Sequence, residues 1–219
     1  MEEAGRFPFY EQLSAAGKGA LSRSVRVRTF TCGAEVSRGE CTGLLYVSAG
    51  RLRAYTMSAE GREITLYRLG AGEVCLFSAA CAVQGMQAEI FVRAEEETRV
   101  LLLPPEVYRA LAESEPPVSA FTASLTARRL SNVLWVLDEV LNKKFDARLA
   151  ALLLEEAGYA GEDTVRTTHE KLAAHLGTVR EAVSRMLRYF EEEGYVSLFR
   201  GGVRIEDRAA LASLAEERK

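Results

Sequence analysis

Three side chains able to recognise a base edge occur at helical spacing near the carboxyl end of the chain. Glu181, Ser184 and Arg185 stand at positions i, i+3 and i+4, which share one face of a helix. On such a face Arg185 can fork onto guanine O6 and N7, Glu181 can accept from cytosine N4, and Ser184 can reach the thymine side of a pair. A Glu–Arg pair at i and i+4 is also a common surface salt bridge, so the spacing alone leaves that alternative open.

Positive charge is concentrated around this triplet although the chain as a whole is acidic. The 219 residues carry 28 Lys and Arg against 31 Asp and Glu, a net charge of −3, which excludes a basic footprint over the whole chain. Between Thr178 and Arg188, however, three arginines accompany a single glutamate. Attraction to phosphates requires such a local patch. We expect the phosphate and flanking contacts to come from Thr168, His169, Thr178, Arg180, Arg188 and Arg200.

Two short helices are predicted to position these side chains. Thr168 is a good N-cap for a helix over HEKLAAHL, and Gly177 ends that helix and permits a sharp turn. Thr178 has the residue type of a second N-cap, with Glu181 completing a capping box. The second helix is expected to end at Gly194. Its predicted apolar face contains Val179, Val183, Met186, Leu187 and Phe190.

This spacing predicts a winged helix-turn-helix. Two helices joined by a short glycine turn form the motif, and its second helix suits a DNA major groove. The segment YVSLF-RGG-VRIED has the pattern of a small hairpin turned at residues 200–202, which would be the wing. Upstream, FDARLAALLLEEAGY predicts a buried helix that ends near Gly158. His169 and His175 both fall on the first of the paired helices, where surface or phosphate contacts are favoured over metal binding.

A long amphipathic helix precedes this region. After Pro116 and Pro117 no Gly or Pro occurs until Gly158, and apolar residues recur at steps of three and four. A helix of this length exceeds what a small β-domain can cover, so part of its apolar face needs another partner. A second copy of the helix, related by two-fold symmetry, is favoured over packing on the chain's own β-domain. The predicted dimer interface contains Leu130, Leu134, Leu137 and Leu141.

The amino-terminal half has the pattern of antiparallel β-structure. Glycines interrupt the stretch from Cys32 to Met86 every few residues, with short apolar or alternating runs between them. The predicted strands are Leu44–Val47, Arg51–Met57, Glu63–Leu69, Ile90–Arg93 and Arg99–Leu103, with a turn over Ser58–Arg62. A short helix near Glu106–Glu113 is expected to follow them. Many short strands with frequent turns favour a sandwich or barrel.

Composition excludes several other classes of protein. With 48% hydrophobic and 27% charged residues the chain is an ordinary globular protein of one large or two small domains. No run approaches the ~18 apolar residues of a membrane helix, and MEEAGRFPFY lacks the apolar core of a signal peptide. We therefore expect a cytoplasmic protein, with no membrane partner, whose four cysteines are thiols. An enzyme is not expected, because the first 168 residues hold no histidine and the chain has no phosphate loop.

Taken together, these segments resemble the Crp/Fnr family of transcription regulators. EKLAAHLGTVREAVSRMLRYFEEEGYV resembles the family's helix-turn-helix, FDARLAALLL the helix that opens its DNA-binding domain, and GRLRAYTMSAEGREITLYRLGAGEVCLFSAAC its cyclic-nucleotide-binding-like β-roll. Glu181, Ser184 and Arg185 match the Fnr-type triplet, where the Crp type has Gly in place of Ser. The resemblance implies an α+β fold. It comprises an N-terminal antiparallel β-roll (a double-stranded β-helix or jelly roll) at residues 1–115, a long dimerisation helix at 116–143 and a winged helix-turn-helix at 144–219.

The resemblance also implies a function. It implies a sequence-specific regulator that binds double-stranded DNA as a homodimer at an inverted repeat, TTGA…TCAA, and that contacts RNA polymerase. An effector or a redox signal sensed in the β-roll would control it. The alternative is a regulatory protein that senses a cyclic nucleotide without binding DNA. Such a protein would share the β-roll but lack the triplet at 181–185 and the wing.

The predicted effector pocket contains Gly72, Glu73, Cys75, Cys81, Ala88 and Glu89. Family members that bind cyclic AMP use a Gly-Glu pair and a later Arg-Ser, which hold the ribose and the phosphate. Gly72 and Glu73 keep the pair, but alignment on Val92–Ala94 puts Ala88 and Glu89 in the place of Arg-Ser. Because a carboxylate repels a cyclic phosphate, cyclic AMP is not the expected effector.

The four cysteines, Cys32, Cys41, Cys75 and Cys81, all lie in this half, and no CxxC spacing occurs. Three interpretations stay open: buried structural thiols, redox-switching thiols with Cys75 and Cys81 as the pair, and a metal or cluster site. The N-terminal cysteine cluster that holds the iron–sulfur cluster in Fnr is absent. The cofactor is therefore unknown. An iron–sulfur cluster or metal would bind only through cysteine, and a haem through Cys or Met, because the sensor half has no histidine.

Overall fold

The amino-terminal part folds as two antiparallel sheets that share a core. The structure, a computed structural model, describes residues 3–38, 42–76 and 89–217. One sheet has the order β1 (Arg26–Phe30), β8 (Thr98–Leu103), β3 (Leu44–Ala49) and β6 (Val74–Cys75). The other has the order β2 (Glu35–Arg38), β7 (Phe91–Ala94), β4 (Leu52–Met57) and β5 (Glu63–Leu69). This arrangement confirms the predicted antiparallel β-roll, although β1, β2 and β6 were not predicted.

Apolar side chains of the strands build the core of the roll. Side chains of both sheets meet there without solvent exposure, among them Leu45, Leu52, Ala54, Val92 and Val100. The turn between β3 and β4 requires glycine at position 50, where φ is +83° and an added Cβ would lie 2.4 Å from the Glu97 carbonyl oxygen. The predicted turn over Ser58–Arg62 also forms, because the Ser58 amide donates to the Arg62 carbonyl at 2.9 Å.

Short helices at the amino terminus close a second core against the roll. Two 3₁₀ turns, Ala4–Arg6 and Tyr10–Gln12, lead into α1 (Ala15–Ser24), which packs with α2 (Pro105–Ser114). Phe7, Phe9 and Tyr108 are fully buried in this cluster. The helix α2 was predicted, whereas the turns and α1 were not.

The long helix α3 (Pro116–Asn142) follows as predicted. Its first part packs on the second core, where Val118 and Leu125 are buried. Further along, a stripe of large apolar side chains is half exposed or more: Leu130 (59%), Leu134 (54%), Trp135 (61%), Leu137 (51%) and Leu141 (60%). The stripe contains all four predicted interface leucines and also Trp135, which was not predicted.

The carboxyl-terminal part has its own core. Its elements are α4 (Phe145–Ala160), β9 (Thr164–Val165), α5 (His169–Leu176), α6 (Arg180–Glu192), β10 (Val196–Phe199), β11 (Gly202–Ile205) and α7 (Arg208–Ala215). The three strands form an antiparallel sheet in the order β10, β11, β9. The helix α4 was predicted to end near Gly158; it ends at Ala160, two residues later, and Gly161, with a φ of +70°, closes it in the left-handed conformation.

The contacts group the chain into two compact units. One comprises Met1–Met57 with Leu66–Val133, and the other comprises Ser58–Thr65 with Leu134–Lys219. The functional division at residues 115 and 143 stays a prediction. In the part of the chain that the structure describes, no helix is both long enough and apolar enough to cross a membrane.

Candidate nucleic-acid interface

The helix α5 begins and ends at the predicted residues. Thr168 is its N-cap, and the Thr168 hydroxyl oxygen accepts from the Lys171 amide at 3.2 Å. Gly177 closes the helix with a φ of +69°, a conformation that a residue with a Cβ adopts only at a cost. Leu172 and Leu176 lie in the core of this unit. The first helix of the motif is therefore fixed at both ends.

The start of α6 differs from the prediction. The N-cap is Val179, without a side-chain hydrogen bond, so the expected capping box of Thr178 and Glu181 does not form. The Thr178 amide instead donates to the Ala173 carbonyl at 3.1 Å and completes the carboxyl end of α5. Val179 is consequently 48% exposed rather than part of the apolar face.

The rest of α6 has the predicted two faces. Val183, Leu187 and Phe190 are completely buried in the core of this unit, and Met186 packs partly against that core. The opposite face carries the predicted base-reading and phosphate residues Arg180, Glu181, Ser184, Arg185 and Arg188, of which only Ser184 is half-buried. The helix thus brings the three predicted base readers together on a solvent-facing surface.

The side chains of Glu181 and Arg185 have no hydrogen-bond or ion-pair partner among the described residues. Across residues 3–38, 42–76 and 89–217, no ion pair joins the Glu181 carboxylate to the Arg185 guanidinium, and neither side chain bonds to another residue. The salt-bridge alternative therefore does not describe this structure. Both groups keep their hydrogen-bonding capacity for an external partner.

Ser184 is different, because its hydroxyl already has two partners. The Ser184 Oγ donates to the Arg180 carbonyl at 2.9 Å and lies 2.8 Å from the His169 Nδ1. Burial lowers the pKa of His169, and the positive charges of Arg180 and Arg188 lower it further. The predicted phosphate-contact histidine therefore sits close to both arginines. Within the same unit, the His175 Nδ1 lies 2.8 Å from the Thr65 Oγ1.

The wing is attached to both helices of the motif. The Thr167 amide donates to the Gly201 carbonyl at 3.1 Å, and β11 pairs with β9 just before α5 begins. The Leu198 amide donates to the Glu191 Oε1 at 2.8 Å, which ties the wing to the end of α6. Arg200 lies exposed in the hairpin turn, as predicted.

One contact that supports the motif was not predicted. Arg148 of α4 donates through Nη2 to the Leu176 carbonyl at 2.6 Å, at the last residue of α5. Helix ends leave carbonyl oxygens without partners, and a guanidinium satisfies them well. No feature of the sequence indicates this contact, because its partners are 28 positions apart.

The predicted effector residues are only partly described. Gly72 forms the turn before β6, with a φ of +92°, and the Glu73 carboxylate accepts from the Gly70 amide at 2.8 Å. Cys75 is completely buried, and Glu89 is exposed. Cys81 and Ala88 lie outside the described residues, as does Cys41.

Arg129 of α3 reaches the same strand and was missed by the sequence analysis. Its Nη2 donates to the Val74 carbonyl at 3.1 Å and lies 3.8 Å from the Glu73 Oε1. Its guanidinium carbon lies 4.3 Å from the centre of the Tyr67 ring. Burial raises the pKa of Tyr67 well above its ordinary value, so that phenol stays protonated. Within the described ranges, no group of three His, Cys, Asp or Glu side chains could hold a metal ion.

Paired helices, a glycine turn and an attached hairpin define a winged helix-turn-helix, here combined with a β-roll and a long helix. Residues 147–214 match the Crp-like helix-turn-helix domain, and residues 36–115 match the cyclic nucleotide-binding domain. The chain belongs to the Crp/Fnr family of DNA-binding transcription regulators.

Individual relatives agree with this assignment. The chain is 34% identical to the Cyclic AMP receptor protein of Thermus thermophilus over 81% of its own length and 82% of that protein. It is 26% identical to the Fumarate and nitrate reduction regulatory protein of Yersinia pestis over 80% and 72% of the two chains. A crystal structure assigned to a Crp/Fnr-family regulator from Eubacterium rectale matches with a TM-score of 0.95 and 40% identity, covering 97% of this chain and 100% of that one. The relatives are transcription regulators rather than enzymes.

The two threonines near the motif differ in what their hydroxyls do, and this gives a stability test. Because Thr168 caps α5 and Thr178 caps nothing, Thr168→Ala should lower the free energy of unfolding by about 1 kcal/mol, whereas Thr178→Ala should change it little. Urea denaturation followed by circular dichroism measures both. Equal losses in the two variants would contradict the observed caps.

Proposed function

We propose that this regulator binds, as a homodimer, an inverted repeat with Fnr-like half-sites, TTGA…TCAA, through the major groove. The observation that carries the proposal is the solvent-facing side of α6, where Glu181 and Arg185 have no partner among the described residues. Arg185 would fork onto guanine O6 and N7, and Glu181 would accept from a nearby cytosine N4. The Ser184 side chain lies beside them on the same helix and would face the neighbouring base pair.

Surrounding groups would hold the DNA backbone. Arg180 and Arg188 belong to the same helix and lie close enough to His169 to lower its pKa. Phosphate contacts of this kind fix the register of the protein on DNA without carrying sequence information. We assign this role to Thr168, His169, Thr178, Arg180, Arg188 and Arg200.

The exposed stripe on α3 supports dimerisation. Leu130, Leu134, Leu137 and Leu141 follow steps of four and three and are 51–60% exposed. An apolar stripe of this length in water is typical of an interface, and a second copy would bury the stripe with its own. Two recognition helices related by a two-fold axis reach successive major grooves about 34 Å apart, which sets the repeat spacing.

The β-roll would sense the signal, and the long helix would transmit it to the DNA-binding segment. We retain the divisions at residues 1–115, 116–143 and 144–219 for these roles, with RNA polymerase as a further partner. The name of the Thermus thermophilus relative favours cyclic AMP as the effector. Glu89 argues against it, because a carboxylate at the phosphate position is repulsive. The Gly70 amide and Arg129 also already engage Glu73, the residue that would hold the ribose.

Two other kinds of effector are compatible with the residues of the β-roll. A different small molecule could bind in the roll, or Cys75 and Cys81 could respond to oxidants. Complete burial of Cys75 favours a structural thiol, because a thiol that reacts with oxidants needs access and thiolate character. An iron–sulfur cluster or metal would have to use cysteine sulfur, and a haem would have to use Cys or Met. The presence of the complete winged motif favours DNA binding over the alternative function, ligand sensing without DNA binding.

Alanine substitutions of two arginines on α6 should affect DNA binding in different ways. Arg185→Ala should cost roughly 1–3 kcal/mol per half-site and relax discrimination at the guanine, because a bidentate base contact is lost. Arg188→Ala should weaken all sequences alike and flatten the salt dependence. Binding titrations on consensus and guanine-substituted duplexes at two salt concentrations measure both effects. If Arg185→Ala weakens binding to both duplexes equally while Arg188→Ala loses discrimination at the guanine, the assigned base-reading and phosphate-contact roles are wrong.

The oligomeric state can be tested at the exposed stripe. We expect sedimentation equilibrium to give about twice the 24.1 kDa of one chain at micromolar concentration. Leu134→Glu should dissociate the dimer, because a carboxylate in an apolar interface loses its hydration. Val27→Glu is a matched control, since Val27 is an apolar residue of β1 that is 45% exposed outside the stripe. A wild-type monomer, or equal effects of the two variants, would overturn the dimer.

Cyclic AMP provides the direct test of the effector assignment. Isothermal titration calorimetry should detect no saturable heat when cyclic AMP is added to the wild-type protein, because the phosphate would meet the Glu89 carboxylate, and Ala88 stands where the arginine would be. Ala88→Arg combined with Glu89→Ser restores the Arg-Ser pair and should raise the affinity for cyclic AMP. Saturable binding to the wild type would establish cyclic AMP as a ligand, and our effector assignment would then be wrong.

A further inference from the structure

The contact between His169 and Ser184 links the two helices of the motif at a predicted base reader. Ser184 belongs to α6, and His169 is the first residue of α5, 15 positions earlier. The Ser184 Oγ has two close neighbours, the His169 Nδ1 at 2.8 Å and the Arg180 carbonyl at 2.9 Å. Neither base contact nor phosphate contact, as assigned above, explains why the histidine ring should lie against the serine hydroxyl.

The donor and acceptor capacities of the three groups indicate where the hydrogens lie. A serine hydroxyl has one hydrogen and two lone pairs. The Arg180 carbonyl can only accept, so the hydroxyl hydrogen lies on that side, as is common for serine inside a helix. The contact with His169 is then a hydrogen bond only if Nδ1 carries a hydrogen and donates it to Oγ. One lone pair of Ser184 Oγ remains for an external donor.

The electrostatics agree with this assignment. Burial and the charges of Arg180 and Arg188 lower the pKa of His169, so near neutral pH the ring carries a single hydrogen. With that hydrogen on Nδ1, the ring can donate a hydrogen bond to the Ser184 Oγ. The ring is also half-buried, which holds it against the serine rather than leaving it free in solvent.

We propose that His169 is a positioning residue for base recognition: its Nδ1–H holds the Ser184 hydroxyl as a hydrogen-bond acceptor toward the major groove. The inference rests on the proposed function, because it assumes that Ser184 faces a base pair. It assigns to His169 a role in sequence preference, whereas a phosphate contact alone would affect every sequence equally.

The chemistry of the base follows. An acceptor oxygen pairs with an exocyclic amine, adenine N6 or cytosine N4, and meets the keto oxygens of thymine and guanine as a second acceptor. Ser184 would therefore recognise a T·A pair through the N6 amine of the adenine, and not through thymine O4, the side on which the sequence analysis placed it.

The tautomer can be measured without DNA. The chain has two histidines, so ¹⁵N-histidine labelling gives two ring systems, and His169→Asn identifies the signals of residue 169. Long-range ¹H–¹⁵N correlation at pH 7.5 should find hydrogen on Nδ1 of His169 and not on Nε2. Ser184→Ala should increase the Nε2–H fraction. Hydrogen on Nε2 in the wild type would overturn the proposal.

Base preference is the second measurement. The position that Ser184 faces is first located as the one whose discrimination Ser184→Ala reduces. At that position the wild type should prefer the amine-bearing base by about three- to tenfold, the value of one hydrogen bond. His169→Phe keeps an aromatic ring but cannot donate, so it should lose this preference. His169→Asn, whose amide stands near the place of Nδ1, should restore it.

Controls separate positioning from other effects. Arg185-dependent discrimination at the guanine should be unchanged in His169→Phe. Adding His169→Phe to Ser184→Ala should cause no further loss of preference, because both changes remove one contact. If His169→Phe does not fold by circular dichroism, His169→Ala replaces it. Retained preference in a folded variant without the Nδ1 donor, or failure of a folded His169→Asn, would overturn the inference.

Failure of the proposed function is recognised separately. If the wild type shows no preference among duplexes, or Arg185→Ala has no effect on the guanine, base recognition by α6 is wrong. If the wild type and Arg185→Ala behave as expected while the histidine variants keep the wild-type preference, only the role of His169 is wrong. The tautomer measurement distinguishes the cases further, because it does not depend on DNA.

Discussion

Burial of one face of α6 is the constraint on which the proposed DNA-binding surface depends. Val183, Leu187 and Phe190 have no solvent exposure, and burying a large apolar side chain contributes roughly 1.5–3 kcal/mol. An exposed ion pair contributes about 0–1 kcal/mol. The apolar face therefore decides how the helix is rotated about its axis. Glu181 and Arg185 point outward as a consequence, without any need for a contact of their own.

The same constraint explains which features could be predicted from the sequence. The spacing of apolar residues in α6 and α3 requires a helix, and the glycine-rich alternation of the first half requires strands. Helix ends are decided by finer differences. Thr168 and Thr178 both precede helical segments, but Gly177 turns the chain so that the Thr178 amide closes α5. Gly158 remains helical because its buried neighbour Ala157 belongs to the core and the chain first reverses at Gly161.

Contacts between distant positions could not be predicted, because they have no periodicity. His169 and Ser184 are 15 positions apart, Arg148 and Leu176 are 28, and Arg129 and Val74 are 55. In each of these contacts, tertiary packing places a side chain within hydrogen-bonding distance of a polar group that is remote in the sequence. The sequence indicated which residues share the exposed face of α6, whereas only the structure shows that one of them, Ser184, is already hydrogen-bonded. Strand β1 was missed for a related reason: four of its five residues are exposed, so no apolar alternation marks it.

The distribution of charge over the chain bears on how the proposed DNA binding could be sequence-specific. Affinity for any DNA rises with each phosphate that a cation neutralises, so a cationic surface alone would bind all sequences. Here the net charge of the chain is −3, while Arg180, Arg185 and Arg188 of α6 and Arg200 of the wing are all exposed. The net negative charge weakens non-specific attraction to DNA over the chain as a whole. In the proposed orientation, with α6 in the groove, the base-reading groups would decide the outcome, because mismatched pairs cost about 1–3 kcal/mol each. Under the proposed function, the local excess of cations beside the proposed base readers would hold α6 against the DNA backbone, and discrimination would then come from Glu181, Ser184 and Arg185.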